Sequence, residues 1–344
     1  MKKALLFFSI LFSFFTLSAQ DKEPFLTKEL SKEQIKMIKA TSSGGGISVT
    51  AVAASEARLE VYIRGNNGSN LSKDEIQSRL DEDYTFKIDI NGNRLTVIAK
   101  PKRPNMNWKK ALNIDFKIFV EKNVSTNLTS SGGGISLSGI TGKQNFITSG
   151  GGLDINQVSG TIKGVTSGGG IKLDQSVADD IDLSTSGGGI SASNSKANKI
   201  SLSTSGGGIQ MHSLTGVINA STSGGDITGD FITGALTAGS SGGGIVLKEV
   251  SGSLNASTSG GGIRVSIKEL GQHVKLGTSS GNIELEIPRN KGVKLELYAD
   301  KIKTDRLENF IGNIEDDEIN GTLNGGGVLI KAKASSGKIT LTFK

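Results

Sequence analysis

A hexapeptide close to Thr-Ser-Gly-Gly-Gly-Ile recurs along most of this chain at a nearly fixed interval. The apolar residue after each glycine cluster follows the previous one by 18 to 20 residues. These residues are Ile135, Leu153, Ile171, Ile190, Ile209, Ile227, Ile245, Ile263 and Ile283. An earlier copy ends at Ile47, and degenerate late copies are expected at residues 325–328 and 335–339. Such periodicity is typical of arrays in which each repeat is one structural unit.

Within each unit the apolar residues alternate with polar ones, which is the pattern of a half-buried strand. Ile171 and Leu173, for example, flank Lys172, and a second strand with Ile181 precedes the next glycine cluster. Each unit is therefore predicted to be strand, turn, strand, turn. The predicted fold class is all-β: a single-stranded parallel β-helix, or β-solenoid, with coils of about 18 residues stacked about 4.8 Å apart. The glycines are expected where the chain turns with positive φ or packs without a Cβ.

The sequence divides into five expected segments. Residues 1–19 have the layout of a signal peptide, with Lys2 and Lys3 before an apolar run and Ser18-Ala19 after it; an uncleaved anchor is the alternative. Residues 20–34 are expected to be a polar tether. Residues 35–125 are expected to form wide first coils with a hairpin at Asn91-Gly92 and a short helix capped by Ser72 and Glu75. Residues 126–285 should hold the regular coils, and residues 286–344 a charged insertion followed by C-terminal coils.

Composition excludes several classes of function. The chain has no cysteine, so it forms neither a disulfide nor a lipid-modified cysteine. Without Lys2 and Lys3 the formal net charge falls from +6 to +4, which is mild for 344 residues. The basic residues gather beside Trp108 in one stretch that contains Lys100, Lys102, Arg103, Lys109 and Lys110. Because nucleic-acid binding would require repeated aromatic stacking groups, this stretch is interpreted as a solvated loop. We expect no nucleic-acid partner and no transmembrane segment in the mature chain.

The glycine clusters do not match known ligand loops. No Gly-Lys-Ser or Gly-Lys-Thr follows any of them, so a phosphate loop is not predicted. Calcium-binding β-rolls require an Asp at fixed spacing in every repeat, whereas only Asp226 places an acid in a cluster here. No cofactor is therefore expected.

Metal and nucleophile sites are not predicted either. The two histidines, His212 and His273, fall in different coils, and no His-Glu-x-x-His motif exists. Serines are abundant, but no Gly-x-Ser-x-Gly turn stands between a strand and a helix.

A polysaccharide-degrading β-helix is the main enzymatic alternative, because glycoside hydrolysis needs two nearby carboxyl groups. The densest acids in the regular coils are Asp179, Asp180 and Asp182, and the segment 286–324 is a second candidate. Aspartate is also a common turn residue, which favours a structural role. Phe146 and Phe231 are the only rings of the regular coils, and Phe146 is expected to face inward. The sequence thus predicts no catalytic, metal or cofactor residues and leaves the ligand-binding residues unknown.

The strand-turn units "TSGGGI", "STSGGGI" and "SSGNIEL", with the opening "IKATSSGGGISVTA" and the run "IFVEKNVSTNLTSSGGGISLSGITG", resemble a bacterial β-strand-repeat family of unknown function that carries an adhesin label. They are also similar to the head domains of GIN-type auto-transporter adhesins. The resemblance covers about residues 35–344. It implies a right-handed parallel β-helix in an exported or envelope protein, and it brings no catalytic residues. The ending Ser18-Ala19-Gln20 resembles signals of Bacteroidetes-type bacteria, which implies the periplasm, the cell surface or secretion.

Two functional hypotheses follow. The first is a non-catalytic, adhesin-like or envelope-associated module that binds a surface glycan or an envelope protein. The second is a carbohydrate-active β-helix enzyme that acts on surface or extracellular polysaccharide. A structural spacer that holds another element away from the membrane fits the same rod.

Overall fold

The computed structural model describes residues 23–66, 69–103 and 108–344 of the chain. The expected signal peptide, residues 1–19, lies outside these ranges. All strands of the described residues belong to one continuous hydrogen-bonded sheet that coils around a single core. Within the same ranges no helix has the length and apolar character that a membrane crossing requires.

The strands group into an N-terminal end, a regular array and a C-terminal end. The N-terminal end comprises β1 Leu26–Glu29, β2 Met37–Ser42, β3 Ile47–Ala51, β4 Arg58–Gly65, α1 Lys73–Asp83, β5 Tyr84–Asn91, β6 Arg94–Pro101 and β7 Leu112–Val120, with 3-10 turns at Ala54–Glu56 and Trp108–Lys110. The array comprises β8 Ser125–Ser130, β9 Ile135–Ser138, β10 Thr141–Thr148, β11 Leu153–Asn156, β12 Ser159–Thr166, β13 Ile171–Asp174, β14 Val177–Thr185, β15 Ile190–Thr204, β16 Ile209–Thr222, β17 Ile227–Asp230, β18 Thr233–Ser240, β19 Ile245–Thr258, β20 Ile263–Thr278 and β21 Ile283–Ile287. The C-terminal end comprises β22 Val293–Tyr298, β23 Lys301–Thr304, β24 Phe310–Ile314, β25 Glu318–Leu323, β26 Val328–Ala334 and β27 Lys338–Phe343.

The coils of the array stack in parallel and in register, as the repeat predicts. We call the side whose strands follow the glycine clusters face A, and the side whose strands precede them face B. On face A, Leu153 pairs with Ile135 on one side and Ile171 on the other, and the same residue column continues to Ile283. These residues are at most 3% exposed, so the column forms a continuous apolar core. The predicted parallel β-solenoid is confirmed.

Seven coils of the array have one bend more than the sequence predicts. The chain turns at the glycine cluster and, where face B begins, at a positive-φ glycine in most coils, such as Gly160. In these coils it also turns at the fifth residue after the glycine cluster, where the backbone is left-handed. Gly139 is the one glycine among these residues. The other occupants of this bend are Gln157, Gln175, Asn194, Ser213, Phe231 and Glu249, with φ between 49° and 54°. Sequence reasoning missed this bend because left-handed backbone is normally signalled by glycine.

The middle glycine of each cluster is required by the distance between coils. A Cβ on Gly169 would lie 2.3 Å from the carbonyl oxygen of Gly151 in the preceding coil. A Cβ on the third glycine, Gly170, would meet only the oxygen of Gly189, at 3.3 Å. The third position accordingly accepts Asp226 and Asn282 in other copies. Glycine is expected either where φ is positive or where the backbone packs closely without a Cβ. Close packing is the reason at the middle position of these regular clusters.

At the N-terminal end the first coil in sequence, formed by β2 and β3, is not the outermost coil of the stack. β2 pairs in parallel with both β8 and β6, and β3 pairs with both β9 and β7. The coil of β6 and β7 therefore lies outside the coil of β2 and β3, although it follows in sequence. Antiparallel strands complete the end, with β5 on β6, β4 on β7, and β1 on β4. The hairpin at Asn91-Gly92 is confirmed, and so is the helix, since Ser72 accepts a hydrogen bond from the Glu75 N–H.

The structure corrects the expected tether at residues 20–34 over residues 23–34, and residues 20–22 lie outside the described ranges. Leu26–Glu29 forms β1, and Leu30 is 1% exposed within the core. The charges that suggested a tether, such as Lys28 and Glu29, belong to an edge strand whose side chains are exposed. Charged residues suit both settings, which is why composition did not distinguish them.

The C-terminal end has an arrangement like that of the N-terminal end, in which one coil lies between two others out of sequence order. β26 lies between β20 and β22, and β27 lies between β21 and β23. Segment 286–324 is therefore not a loop inserted before the last coils, because its strands form the terminal layer of the stack. The copy expected at residues 335–339 is confirmed by the pairing of Ile339 with Ile283. The copy expected at 325–328 is wrong: Gly325 and Gly326, with φ of 80° and 84°, form the turn between β25 and β26.

Candidate functional site

A surface groove with a volume of about 1040 Å³ lies across the outside of face A at the N-terminal end. It crosses β4, β7, β3, β9, β11 and β13, which are successive neighbours in the sheet. At a strand spacing of about 4.8 Å, the groove is roughly 24 Å long. Its lining residues include Glu23, Phe25, Ser48, Tyr62, Arg64, Leu71, Lys73, Asp115, Lys117, Ser136, Asp154 and Lys172.

The floor of the groove is a row of outward polar side chains. Ser136 pairs with Asp154, and Asp154 pairs with Lys172, at equivalent positions of adjacent coils. These side chains point outward because Ile135, Leu137 and their equivalents occupy the inward positions. Neither Asp154 nor Lys172 forms an ion pair within the described ranges. Both side chains are exposed on the outer surface, and the charge of Lys172 also acts on Asp174 of the same strand.

One wall of the groove holds a fixed ion pair. Arg64 Nη2 lies 2.6 Å from Asp115 Oδ2, and the other carboxylate oxygen accepts a hydrogen bond from the Gly46 N–H at 2.7 Å. The guanidinium and the glycine corner thus occupy both oxygens of Asp115. This carboxylate supports the wall and is poorly placed to act as a general base.

Beside this ion pair the wall carries a stacked ring. Lys117 Nζ lies 4.5 Å from the centre of the Tyr62 ring, and the Tyr62 hydroxyl donates to Glu60 at 2.8 Å. Burial acts to raise the pKa of Glu60. Hydrogen bonds from Arg58 and Tyr62, with the charges of Arg58 and Lys117, outweigh burial and hold this pKa below its ordinary value. Glu60 is thus kept as a carboxylate that orients the ring.

The mouth of the groove adds apolar surface and a further cation. Phe25 and Leu71 are half-buried on its rim, and Lys73 is exposed at the first turn of α1. The groove therefore combines rings and aliphatic carbons with hydrogen-bonding and charged groups, the combination typical of sites that bind small or chain-like ligands.

A smaller cavity of about 390 Å³ lies farther along face A. At this cavity Gly229 occupies the inward position that Met211 and Leu247 occupy in the two flanking coils. At its edge His212 Nδ1 lies 2.8 Å from Asp230 Oδ1, and the imidazole meets the Phe231 ring edge-on with 5.7 Å between ring centres.

This cavity does not assemble a Ser-His-Asp triad. The serine one coil before His212 is Ser193, and its hydroxyl donates to Asp174 Oδ1 at 2.8 Å. Hydrogen bonds from Asn194 and Ser193 lower the pKa of Asp174, which stabilises its charged form. Ser193 is thus bonded to a carboxylate on the far side from His212.

The acids singled out in the sequence do not form a comparable site. Asp179, Asp180 and Asp182 are exposed on β14, and Asp182 lies 3.9 Å from Lys163 of the preceding coil. Asp226 accepts a hydrogen bond from the Gly244 N–H at 2.7 Å, so it caps a neighbouring glycine cluster. Within residues 23–66, 69–103 and 108–344, no three His, Cys, Asp or Glu side chains are grouped to hold a metal ion.

The remaining candidates are equally dispersed. His273 pairs with Leu329 on face B, far from His212 on face A. In the basic stretch, Lys102 donates to the carbonyl oxygen of Asp81 in α1. Phe146 is 1% exposed, which confirms its inward position, whereas Phe231 is 52% exposed.

The groove residues were missed because no motif marks them. Along β4, buried residues alternate with the outward residues Arg58, Glu60, Tyr62 and Arg64. Along β7, buried residues alternate in the same way with Asp115 and Lys117. This alternation does identify an outward polar face. The alternation does not show that the outward faces of β4 and β7 extend the groove floor formed by the regular coils, because this continuity depends on which strands pair.

Comparison with known proteins gives three findings. The Toastrack DUF4097 family model matches residues 235–342, from β18 to β27. No curated protein matches the chain. Among solved structures, a putative adhesin from Bacteroides fragilis is 12% identical, with a TM-score of 0.31, covering 93% of this chain and 96% of that one. A putative cell adhesion protein from Clostridium sporogenes is 12% identical, with a TM-score of 0.20 and coverages of 93% and 98%. A putative lipid binding protein from Parabacteroides distasonis is 11% identical, with a TM-score of 0.33 and coverages of 94% and 98%.

Proposed function

We propose that this chain is an exported, non-catalytic binding module that holds a carbohydrate chain in the N-terminal groove. The observation that carries the proposal is that one groove is lined both by the outward row Ser136, Asp154 and Lys172 and by the half-buried ring of Phe25. Sugars offer hydroxyl groups to such donors and acceptors, and apolar C–H faces to rings. The groove length of roughly 24 Å suits an extended chain of several sugar units.

The rigidity of the floor supports binding. Asp154 and Lys172 extend from adjacent strands of a stacked array, so their spacing is set by the backbone hydrogen bonds between coils. A ligand that matches this spacing loses little free energy to ordering of the protein. The carboxylate of Asp115 is already bonded on both oxygens, which favours binding over acid–base chemistry.

Export is proposed from the N-terminal sequence pattern, and an adhesin-like role at the envelope follows from export combined with glycan binding. The pattern comprises Lys2 and Lys3, the apolar run Leu5–Leu17 and the small residues Ser18 and Ala19. Fractionation of cells that express the full chain tests this part. Protein that stays in the cytoplasm at its full precursor mass would contradict export.

A glycan array probed with residues 20–344 tests the binding function, followed by calorimetry with the oligosaccharides that bind. Asp154→Ala with Lys172→Ala should weaken binding by roughly 10-fold or more, because hydrogen bonds to charged groups contribute about 1.5–3 kcal/mol. The matched control is Arg264→Ala with Glu284→Ala, a basic and an acidic residue at the same outward positions of face A, outside the groove.

Equal weakening by the two double variants would contradict a site in the groove. Release of shorter oligosaccharides from a bound glycan by the unchanged protein would contradict the non-catalytic assignment. It would favour the enzymatic alternative.

A further inference from the structure

Four strands end the coiled sheet, one on each face at each end of the rod. In the part of the chain that the structure describes, β1 pairs only with β4, β5 only with β6, β23 only with β27, and β24 only with β25. Each therefore presents one open edge. Open edges recruit other strands, and proteins usually protect them with charged side chains.

Three of these edges carry charges and one does not. β1 contains Lys28 and Glu29, β5 contains Lys87 and Asp89, and β23 contains Lys301 and Lys303. β24 reads Phe-Ile-Gly-Asn-Ile and has no charged residue. Its Ile311 and Ile314 are 77% and 55% exposed, among the most exposed large apolar side chains of the described residues. β24 is thus the edge that lacks the usual protection.

The hydrogen-bond register of β24 shows which backbone groups are open. Asn309 accepts from the Asn324 N–H at 3.2 Å, and the Glu315 N–H donates to Glu318 at 2.7 Å. Because such pairs alternate along an antiparallel ladder, the odd-numbered residues of β24 bond to β25. The N–H and C=O groups of Phe310, Gly312 and Ile314 therefore point away from the sheet.

Charge is distributed unequally along the β24–β25 hairpin. Its tip is the acidic run Glu315-Asp316-Asp317-Glu318. Near its base lie the basic residues Arg289 and Lys291, whose carbonyl oxygens accept hydrogen bonds from Asn324, and Arg306. Two acids lie there too, Asp305, which is 3.8 Å from Arg289, and Glu308. If two such strands run antiparallel about Gly312, Arg306 of each lies opposite Glu318 of the other, whereas Glu308 lies opposite Asp316. The uncharged open edge, and not charge complementarity, therefore favours this pairing.

We propose that two copies of this chain join through β24, antiparallel about a two-fold axis at Gly312. Phe310 of each copy then pairs with Ile314 of the other, and Gly312 pairs with its own counterpart. This register satisfies the open N–H and C=O groups of both strands and covers both isoleucines. It makes one continuous face B across two solenoids. The proposal does not depend on glycan binding, because the groove lies at the opposite end of the rod.

Light scattering after gel filtration of residues 20–344, over a range of protein concentrations, tests the association. The expected mass is that of a dimer. Ile311→Lys with Ile314→Lys should give a monomer, because it places lysines on the open edge. The matched control is Val177→Lys with Val217→Lys, which changes two valines that are 61% and 51% exposed elsewhere on face B. That variant should remain a dimer. A monomeric unchanged protein at its highest soluble concentration would overturn the proposal.

Disulfide trapping tests the register. The chain has no cysteine, so Ile311→Cys with Asn313→Cys introduces the only thiols. In the proposed dimer, residue 311 of one copy faces residue 313 of the other across a non-hydrogen-bonded pair, where disulfides form readily. The expected result is a covalent dimer, and Val217→Cys with Asn219→Cys should give none. Open-ended oligomers with no 311–313 cross-link would show head-to-tail association and refute the two-fold arrangement.

Discussion

The hydroxyl of Thr204 donates a hydrogen bond to the carbonyl oxygen of Gly188 in the preceding coil, with 2.7 Å between the two oxygens. The same hydroxyl accepts a bond from the Gly207 N–H of its own cluster, at 3.3 Å. Equivalent buried hydroxyls repeat the donation to the preceding cluster along the array: Ser130, Thr148, Thr166, Thr185, Thr222, Ser240, Thr258 and Thr278. The Thr of the repeat is therefore the polar link between successive clusters.

Thr204→Val should destabilise the protein by about 1–3 kcal/mol, because it keeps the shape but leaves buried polar groups without their partner. Thr237→Val is the control, since Thr237 is exposed on face B and should change stability by less than about 0.5 kcal/mol. Chemical denaturation measures both. Similar losses would show that the buried hydroxyl has no special role.

Gly169→Ala should cost about 1–3 kcal/mol or more, because its Cβ would overlap the backbone of Gly151 and neighbouring coils would have to separate. Gly170→Ala, one residue later, should cost less than about 1 kcal/mol, since its added Cβ meets only one oxygen, at 3.3 Å. Thermal unfolding of the two variants compares them directly. A larger loss for Gly170→Ala would contradict the assignment of the middle position.

Ile209→Asp should cost several kcal/mol, because it places a carboxylate in the apolar column where Ile209 is 0% exposed. Lys172→Ser, on the outward side of the same face, should change stability by less than about 0.5 kcal/mol. Equal shifts in melting temperature would contradict the assignment of inward and outward residues.

The last residue of the chain is bound to the array. Lys344 Nζ donates to Glu249 Oε1 at 2.7 Å, and this hydrogen bond, with the lysine charge, lowers the pKa of Glu249. Because the folded pKa is the lower one, the stabilisation is complete above the ordinary glutamate pKa of about 4.3 and is lost as the pH falls through the folded value. The decrease in melting temperature between pH 5 and pH 3 should therefore be smaller in Glu249→Gln. Glu269→Gln, at an exposed residue of β20, should keep the full decrease.

The array could be predicted from the sequence because its period and its alternation depend on residues near one another. Ile171 and Leu173 face inward for the same local reason in every coil. The two ends could not be predicted in this way, since the order of β6 and β2, or of β26 and β22, depends on pairing between distant segments. Equal β-propensity in competing strands gives no local signal of that order.

The groove was unpredictable for a related reason. Arg64 and Asp115 are 51 residues apart, and they meet only because β4 lies antiparallel to β7 outside the first coil. Their alternation with apolar residues predicts outward faces, which is correct. The acids that cluster in the sequence, Asp179–Asp182, lie elsewhere on β14, where proximity in sequence produces no enclosed site.

The inserted coils at both ends restrict how this rod is synthesised and how its length could change. Because residues 328–343 fit between the array and residues 293–304, the C-terminal end closes only after the final strand has left the ribosome or the export channel. Duplicating a terminal coil would separate the two neighbouring coils between which the inserted coil lies. A longer rod must therefore arise by copying a unit from the middle, at about 4.8 Å for each added coil.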